Sequence, residues 1–244
     1  MAQTRALLLA GGRGTRLAPY TSVLPKPLMP IGEKSVLEVV VGQLADAGVR
    51  RITLCVGYLS HLIRAIFEDG AEYGVTMDYV HEPEPLGTAG PLRLVRGLES
   101  TFLVMNGDIL TTLDYAELLR YHRTSGNRLT IAAHDRTVKV DYGVIEVDGD
   151  DRVAGYEEKP EMPAVVSMGI YVCEPSILLH VPIGRRFEFP QLVDALLEAG
   201  EPVGVYRYDG LWFDIGRQED YEAAATAWLN GQDVPAQKLP DVAR

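Results

Sequence analysis

The stretch Leu7–Leu28, LLLAGGRGTRLAPYTSVLPKPL, constrains this chain more than any other. Ala6–Ala10 is an apolar run of a length that suits a buried strand. It ends in Gly11, Gly12, Arg13, Gly14, Thr15 and Arg16. Glycines at that point let the backbone approach a ligand and leave N–H groups free to point at an anion. Arg13 and Arg16 add positive charge to the same turn, and Lys26 follows between two prolines. A strand feeding a donor-rich cationic turn is suited to holding a polyphosphate; a plain glycine-rich surface loop is the rival reading. Neither of the two common nucleotide loops is present. A Walker loop needs Lys and Ser/Thr directly after its last glycine, whereas Lys26 lies twelve residues beyond Gly14. The dinucleotide fingerprint needs a third glycine where Leu17 stands.

The first half alternates strand-like and helix-like runs. Strands are expected at Arg5–Ala10, Arg51–Gly57, Val75–His81 and Thr101–Asn106. Helices are expected at Ser35–Ala47, Leu59–Glu68 and Thr88–Leu98, with Thr88 capping the last. Such alternation implies right-handed βαβ units and a mostly parallel sheet covered on both faces. Ligands then sit at the carboxyl ends of the strands, where Gly11, Gly57, Glu82 and Asp108 fall. In the second half, Leu129–His134, Asp141–Val147, Arg152–Glu157 and Val166–Cys173 read as strands with few helices between them. They suggest an antiparallel extension closing over the edge of the first sheet. Gln191–Ala199 and Glu219–Leu229 read as helices. Gly231–Arg244 is polar, carries Pro235 and Pro240, and reads as a poorly packed tail. No hexapeptide repeat of the β-helix type occurs.

With 244 residues and 47% hydrophobic content the chain can bury a sizeable core. No apolar run reaches the length of a membrane span, and the N-terminus lacks the apolar region of a signal peptide. Cys55 and Cys173 both lie in strand-like runs, which suits buried free thiols and a reducing cytoplasm. The formal net charge of −11 argues against a nucleic-acid or anionic-membrane partner. Any phosphate site therefore needs local positive charge, and Arg13, Arg16, Lys26 and Lys159 are the candidates to supply it. The oligomeric state is open, a homo-oligomer included.

Asn106-Gly107-Asp108 closes an apolar strand, and a carboxylate there is a hard oxygen donor of the kind Mg²⁺ prefers. Alone, the triplet reads more readily as a turn or cap. Trp212-Phe213-Asp214-Ile215-Gly216 adds a second carboxylate in an apolar setting, which is costly unless it is paired or bound to a cation. Glu157-Glu158-Lys159-Pro160 by itself is a solvated charge cluster before a turn. Glu82 follows another strand; a carboxylate accepts the adjacent N1–H and N2–H₂ donors of guanine well, and can also accept the single N3–H of uracil or thymine. His61, His81, His122, His134 and His180 have no ligand-like spacing, and no nucleophile motif surrounds the serines or cysteines.

LLLAGGRGTRL followed by LPKPLMPIG resembles the signature of the sugar-1-phosphate nucleotidyltransferases, the pyrophosphorylases that make nucleotide-activated sugars. The resemblance runs from Arg5 to Leu229. LGTAGP at Leu86–Pro91 is most similar to the mannose-1-phosphate and heptose-1-phosphate guanylyltransferases. The resemblance implies an α/β fold: a Rossmann-like, mixed, mostly parallel sheet flanked by helices, with a smaller antiparallel sugar-binding extension. It also implies one catalytic domain over 1–230, with a nucleotide-binding half over 1–110 and a sugar-phosphate half over 111–230. It assigns Mg²⁺ to Asp108 and Asp214, and nucleotide contacts to Leu9, Gly11, Gly12, Arg13, Gly14, Thr15, Glu82, Gly87 and Thr88. Arg16, Lys26, Asp108 and Asp214 become the catalytic set. Lys159 becomes the ligand of the sugar phosphate, with Gly143, Glu158, Met168 and Gly169 around the sugar.

The reaction so implied is an in-line displacement. A sugar 1-phosphate oxygen attacks the α-phosphorus of an NTP, GTP preferred, and pyrophosphate leaves. The same reaction with UTP, dTTP or CTP and a glucose-, heptose- or cyclitol-type phosphate is an alternative. So is a catalytically silent homologue that binds a nucleotide sugar. A glycosyltransferase is disfavoured, having no triphosphate for Arg16 and Lys26 to hold.

Overall fold

The computed structural model describes residues 4–82, 84–216 and 218–229; the expected tail, Gly231–Arg244, lies outside the described residues. In chain order the strands are β1 (Arg5–Ala10), β2 (Pro30–Ile31), β3 (Lys34–Ser35), β4 (Arg51–Val56), β5 (Thr76–His81), β6 (Phe102–Asn106) and β7 (Ile109–Thr111). They continue with β8 (Leu129–Lys139), β9 (Gly143–Val147), β10 (Val153–Glu158), β11 (Glu161–Cys173), β12 (Val203–Arg207) and β13 (Trp212–Asp214). The helices are α1 (Val36–Asp46), α2 (Ser60–Phe67), α3 (Tyr115–Ser125), α4 (Phe189–Glu198) and α5 (Gln218–Leu229).

Seven strands form one sheet in the order β12-β8-β11-β6-β1-β4-β5. The pairs β6–β1, β1–β4, β4–β5 and β12–β8 are parallel, while β11 is antiparallel to both β6 and β8. Only β11 therefore runs against the other six. The apolar run at the start of the chain follows from this arrangement. β1 is central, and alternate side chains point to opposite faces. Leu7 packs with Phe102 and Val104 on one face, and Ala6, Leu8 and Ala10 pack with Leu37, Val40 and Leu54 on the other. A strand buried on both faces needs no polar alternation. Cys55 and Cys173 are free thiols buried in the layer with Leu7.

α1 starts at a reciprocal cap: Glu38 N donates to Ser35 Oγ, and Ser35 N donates to Glu38 Oε2. The expected helix Thr88–Leu98 is not formed; only a short 3₁₀ segment, Gly90–Leu94, is present. Ala89 N and Gly90 N donate instead to Phe187 O, so tertiary contacts take the backbone groups that would begin a helix. Thr88 does not cap it either; its Oγ1 accepts from Phe189 N, the first residue of α4.

The second half extends the first sheet rather than closing over its edge. β8 and β11 are longer than their apolar cores, and their outer residues, with the β9–β10 hairpin, are largely solvent-exposed. α3 was not expected. Asp114 caps it by accepting from Ala116 N and Glu117 N, and Tyr115, Leu118, Leu119 and His122 form its buried stripe. Among the described residues no helix is long and apolar enough to cross a membrane.

Candidate active site

The chain runs from β1 outward to β4 and β5, then returns to β6 on the other side of β1. The sheet order thus reverses between β1 and β6, and a crevice opens at their carboxyl ends, as expected at such a switch point. The glycine-rich turn after β1 and the Asn106-Gly107-Asp108 segment after β6 therefore meet: Gly107 N donates to Leu9 O at 2.9 Å. A cleft of about 810 Å³ lies there. Leu9, Gly11, Gly12, Arg13, Gly14, Thr15, Arg16, Lys26, Glu82, Gly87, Thr88 and Asp108 all line it.

The turn is held by its carbonyls. Gly11 O accepts from Tyr58 N, and Gly14 O from Leu17 N and the Thr21 hydroxyl. No bond from the N–H groups of Gly11, Gly12, Arg13 or Gly14 is formed within the described residues. Those donors are available to an anion. Gly14 has φ +61°, and a Cβ there would lie 3.0 Å from both Lys26 Cβ and Thr21 Cγ2. Glycine at 14 thus lets Lys26 pack behind the turn. The Arg13 guanidinium sits 5.7 Å from the centre of the Tyr58 ring, and Tyr58 is itself tied to Ser22 O.

Asp108 and Asp214 converge through backbone pairing. β7 and β13 are antiparallel with Asp214 opposite Ile109, and Ile215 N donates to Asp108 O at 3.1 Å. Trp212 anchors β13: its Nε1 donates to Met168 O at 3.1 Å, and the Arg136 guanidinium lies 4.9 Å from its ring centre. The Lys26 ammonium touches Asp108 Oδ2 and lies 3.8 Å from Asp214 Oδ1. A Cβ on Gly216 would meet Asp214 Oδ1 at 3.1 Å and Arg16 Nη2 at 3.3 Å, so Arg16 is a neighbour of the same carboxylate. Burial raises the Asp214 carboxyl above its ordinary value, and the Asp108 charge adds to this; Lys26 and Arg16 pull it back only in part. Lys26 and Arg16 thus leave burial and the Asp108 charge only partly offset at Asp214. Hard oxygen donors in that condition fit a divalent cation such as Mg²⁺.

At the other end of the cleft, Glu82 Oε2 accepts from Leu86 N at 3.1 Å, and Oε1 lies against Gly11, where a Cβ would be 2.6 Å away. Burial raises the Glu82 carboxyl. Sequence reasoning missed Asn106, Tyr58, Arg186 and Glu188, which line the cleft as well. Asn106 adjoins Asp108 and was within reach of the motif. Arg186 and Glu188 come from a loop with no motif of its own, so nothing local marked them.

The expected sugar-side residues are not brought to the cleft lining. Met168 is fully buried in the core and contributes only its carbonyl, to Trp212. Its side chain packs in the core cluster that includes Leu28, Ile109 and Ile170, beside a register shift of β11 against β8 between Ser167 and Tyr171. Gly169, at φ +73°, makes room for Asn106, whose Nδ2 a Cβ would meet at 2.7 Å. The space beside Gly143 is filled by the Tyr156 hydroxyl, which donates to Glu158 Oε2 at 2.7 Å. Lys159 is exposed, in the turn between β10 and β11, with φ +49°.

The family model described as nucleotidyl transferase matches residues 5–231. The chain is 33% identical over 236 residues to a mannose-1-phosphate guanylyltransferase catalytic subunit beta from Drosophila pseudoobscura pseudoobscura, covering 93% of this chain and 63% of that protein. It is 31% identical over 264 residues to a UTP–glucose-1-phosphate uridylyltransferase from Synechocystis sp., covering 98% of this chain and 66% of that protein. It thus spans slightly less than two thirds of the length of these curated relatives. Among solved structures, HddC from Yersinia pseudotuberculosis complexed with GMP-PN superposes with a TM-score of 0.69 and 28% identity, covering 93% of this chain and 100% of that one. A cleft at the β1–β6 switch point and a match over nearly the whole described chain lead to one assignment: this chain belongs to the nucleotidyl transferase family.

Proposed function

We propose that this protein transfers a nucleotidyl group from an NTP, GTP in preference, to a sugar 1-phosphate, releasing pyrophosphate. The observation that carries this reading is the convergence of Lys26, Asp108 and Asp214 beside an anion-ready turn. Two anions must approach one another in such a reaction, so catalysis is mainly positioning and charge stabilisation.

The N–H groups of Gly11–Gly14, with Arg13 and Arg16, hold the β- and γ-phosphates that leave. Lys26 stands beside the α-phosphate, where negative charge develops. Lys159 is assigned to the attacking phosphate, with Glu158 and Gly143 toward the sugar; the family match alone supports this part of the reading, since none of the three lines the cleft. Asp108 and Asp214 would hold Mg²⁺, which when bound neutralises phosphate charge and acts as a Lewis acid. Glu82 supports the preference for guanine, because a carboxylate accepts from both N1–H and N2–H₂. The free, buried thiols Cys55 and Cys173 support a reducing cytoplasmic setting.

The test is a grid of GTP, UTP, dTTP, CTP and ATP against mannose, glucose, heptose and cyclitol 1-phosphates, with magnesium present and pyrophosphate release read out. Turnover greatest with GTP is expected. Turnover with UTP or dTTP alone would overturn the base preference, and absence of turnover in every cell would overturn the activity.

A further inference from the structure

Two loops that are remote in sequence close one end of the cleft. One is 86–90 and the other 184–188. Glu188 is the hub between them. Its Oε2 accepts from Thr88 N and from Thr88 Oγ1, both at 2.9 Å, across a separation of 100 residues. Its Oε1 accepts from Arg186 Nε at 3.0 Å and lies 3.0 Å from Arg186 Nη2. Around it, Phe187 N donates to Leu86 O, and Ala89 N and Gly90 N donate to Phe187 O. The Thr88 hydroxyl completes the circuit by accepting from Phe189 N at the start of α4.

Gly87 fits only because it is glycine. Its φ is +81°, and a Cβ would lie 2.7 Å from Phe187 O and 2.8 Å from the Glu188 carboxyl. Burial pushes the Glu188 carboxyl up, but hydrogen bonds from Arg186 and Thr88 outweigh it and hold the group ionised. Gly87, Thr88, Arg186 and Glu188 all line the cleft on the side of Glu82. Glu188 is also the N-cap residue of α4, where its N donates to Gln191 Oε1 at 2.9 Å, so part of its role is helix capping. Capping does not account for Oε1 holding Arg186, whose side chain is otherwise 74% exposed at the rim.

We infer that Glu188 is a positioning residue for the nucleotide, fixing loop 86–90 against loop 184–188 and holding the Arg186 guanidinium at the base end of the cleft. The inference rests on the proposed nucleotidyl transfer for the identity of the ligand. Arg186 offers planar donors to the acceptor edge of a base, of the kind guanine O6 and N7 present. Glu188 acts through Thr88 and Arg186.

The test compares wild type, Glu188→Ala and Glu188→Gln. Hydrogen exchange at Thr88, Ala89 and Gly90 reads the tie directly, without activity. Exchange there should quicken about tenfold in Glu188→Ala, as loss of charge-assisted bonds implies, and less in Glu188→Gln, which keeps an oxygen for Thr88. Pyrophosphate release should show KM for GTP raised about tenfold in Glu188→Ala, with kcat within about threefold, and the GTP-to-UTP preference reduced in both variants. Unchanged exchange at 86–90 would overturn the inference. So would faster exchange across the whole chain, accompanied by a fall in kcat but no change in KM. A wild type that turns over no nucleotide would overturn the proposed activity instead, and the exchange measurement would still decide whether Glu188 fixes the loop.

Discussion

The Lys26 ammonium is in contact with the Asp108 carboxylate, with the side chains only 11% and 19% exposed. Both groups end at the cleft. Removing one charge-stabilising group of a preorganised site typically costs about 10²–10³ in rate. Lys26→Ala and Asp108→Asn should each lose about that much kcat while keeping the wild-type circular dichroism. Because the two act as a unit, the double variant should lose little more than either single one. Steady-state kinetics of the three variants checks this, and near-normal turnover in either single variant would remove the residue from the catalytic set.

At Asp214 the proposed role and stability pull in opposite directions. Its carboxyl is raised by burial and by Asp108, so the folded state binds that proton more tightly than the unfolded chain does. The resulting stability is complete below the unfolded pKa and is lost as pH rises through the folded one. At neutral pH the ionised carboxylate is therefore a net cost. Asp214→Asn should raise Tm at neutral pH, and its advantage should shrink as pH falls toward the carboxylate range, while turnover collapses. Thermal melts across that range decide the matter; a Tm below wild type at neutral pH would show that pairing with Lys26 and Arg16 outweighs the burial.

The burial and repulsion left only partly offset at Asp214 predict a response to metal without any substrate. A cation that binds only the folded state stabilises it by about 2.7 kcal/mol at a hundredfold excess over Kd. For a chain of this size each kcal/mol is worth roughly 2–4 °C. Magnesium should therefore raise the Tm of wild type by several degrees. Asp108→Asn and Asp214→Asn should respond much less. Equal shifts in all three proteins would place the metal elsewhere.

How much of this site could be read from the chain depended on how local its causes are. β1 and its turn were legible because a doubly buried strand and a glycine-rich turn are written in consecutive residues. Asp108 and Asp214 were singled out by their apolar settings together with the resemblance; the β7–β13 pairing that unites them has no sequence signal of its own. The link between Thr88 and Glu188 spans 100 residues, and Thr88 reads locally as a cap for its own segment when it caps α4 instead. Met168 was expected at the sugar, yet its side chain is fully buried beside a register shift in β11 that has no sequence signal. α3 carries a plain signal in Asp114 and the Tyr115, Leu118, Leu119, His122 spacing, masked by the polar residues around it.

Lys159 gives the clearest separation of function from fold. It is exposed, and its φ of +49° is a left-handed conformation in which a non-glycine residue costs about 1–2 kcal/mol. Lys159→Gly relieves that strain, while the added freedom of glycine in the unfolded chain takes back about 0.5–1 kcal/mol. Tm should stay level or rise slightly. If Lys159 binds the attacking phosphate, a charge-assisted hydrogen bond worth about 1.5–3 kcal/mol is lost. KM for the sugar phosphate should then rise roughly ten- to a hundredfold, with KM for the NTP unchanged. Steady-state kinetics with each substrate varied in turn, together with a thermal melt, separates the two effects. An unchanged KM for the sugar phosphate would leave Lys159 as a turn residue held in a conformation that glycine suits better.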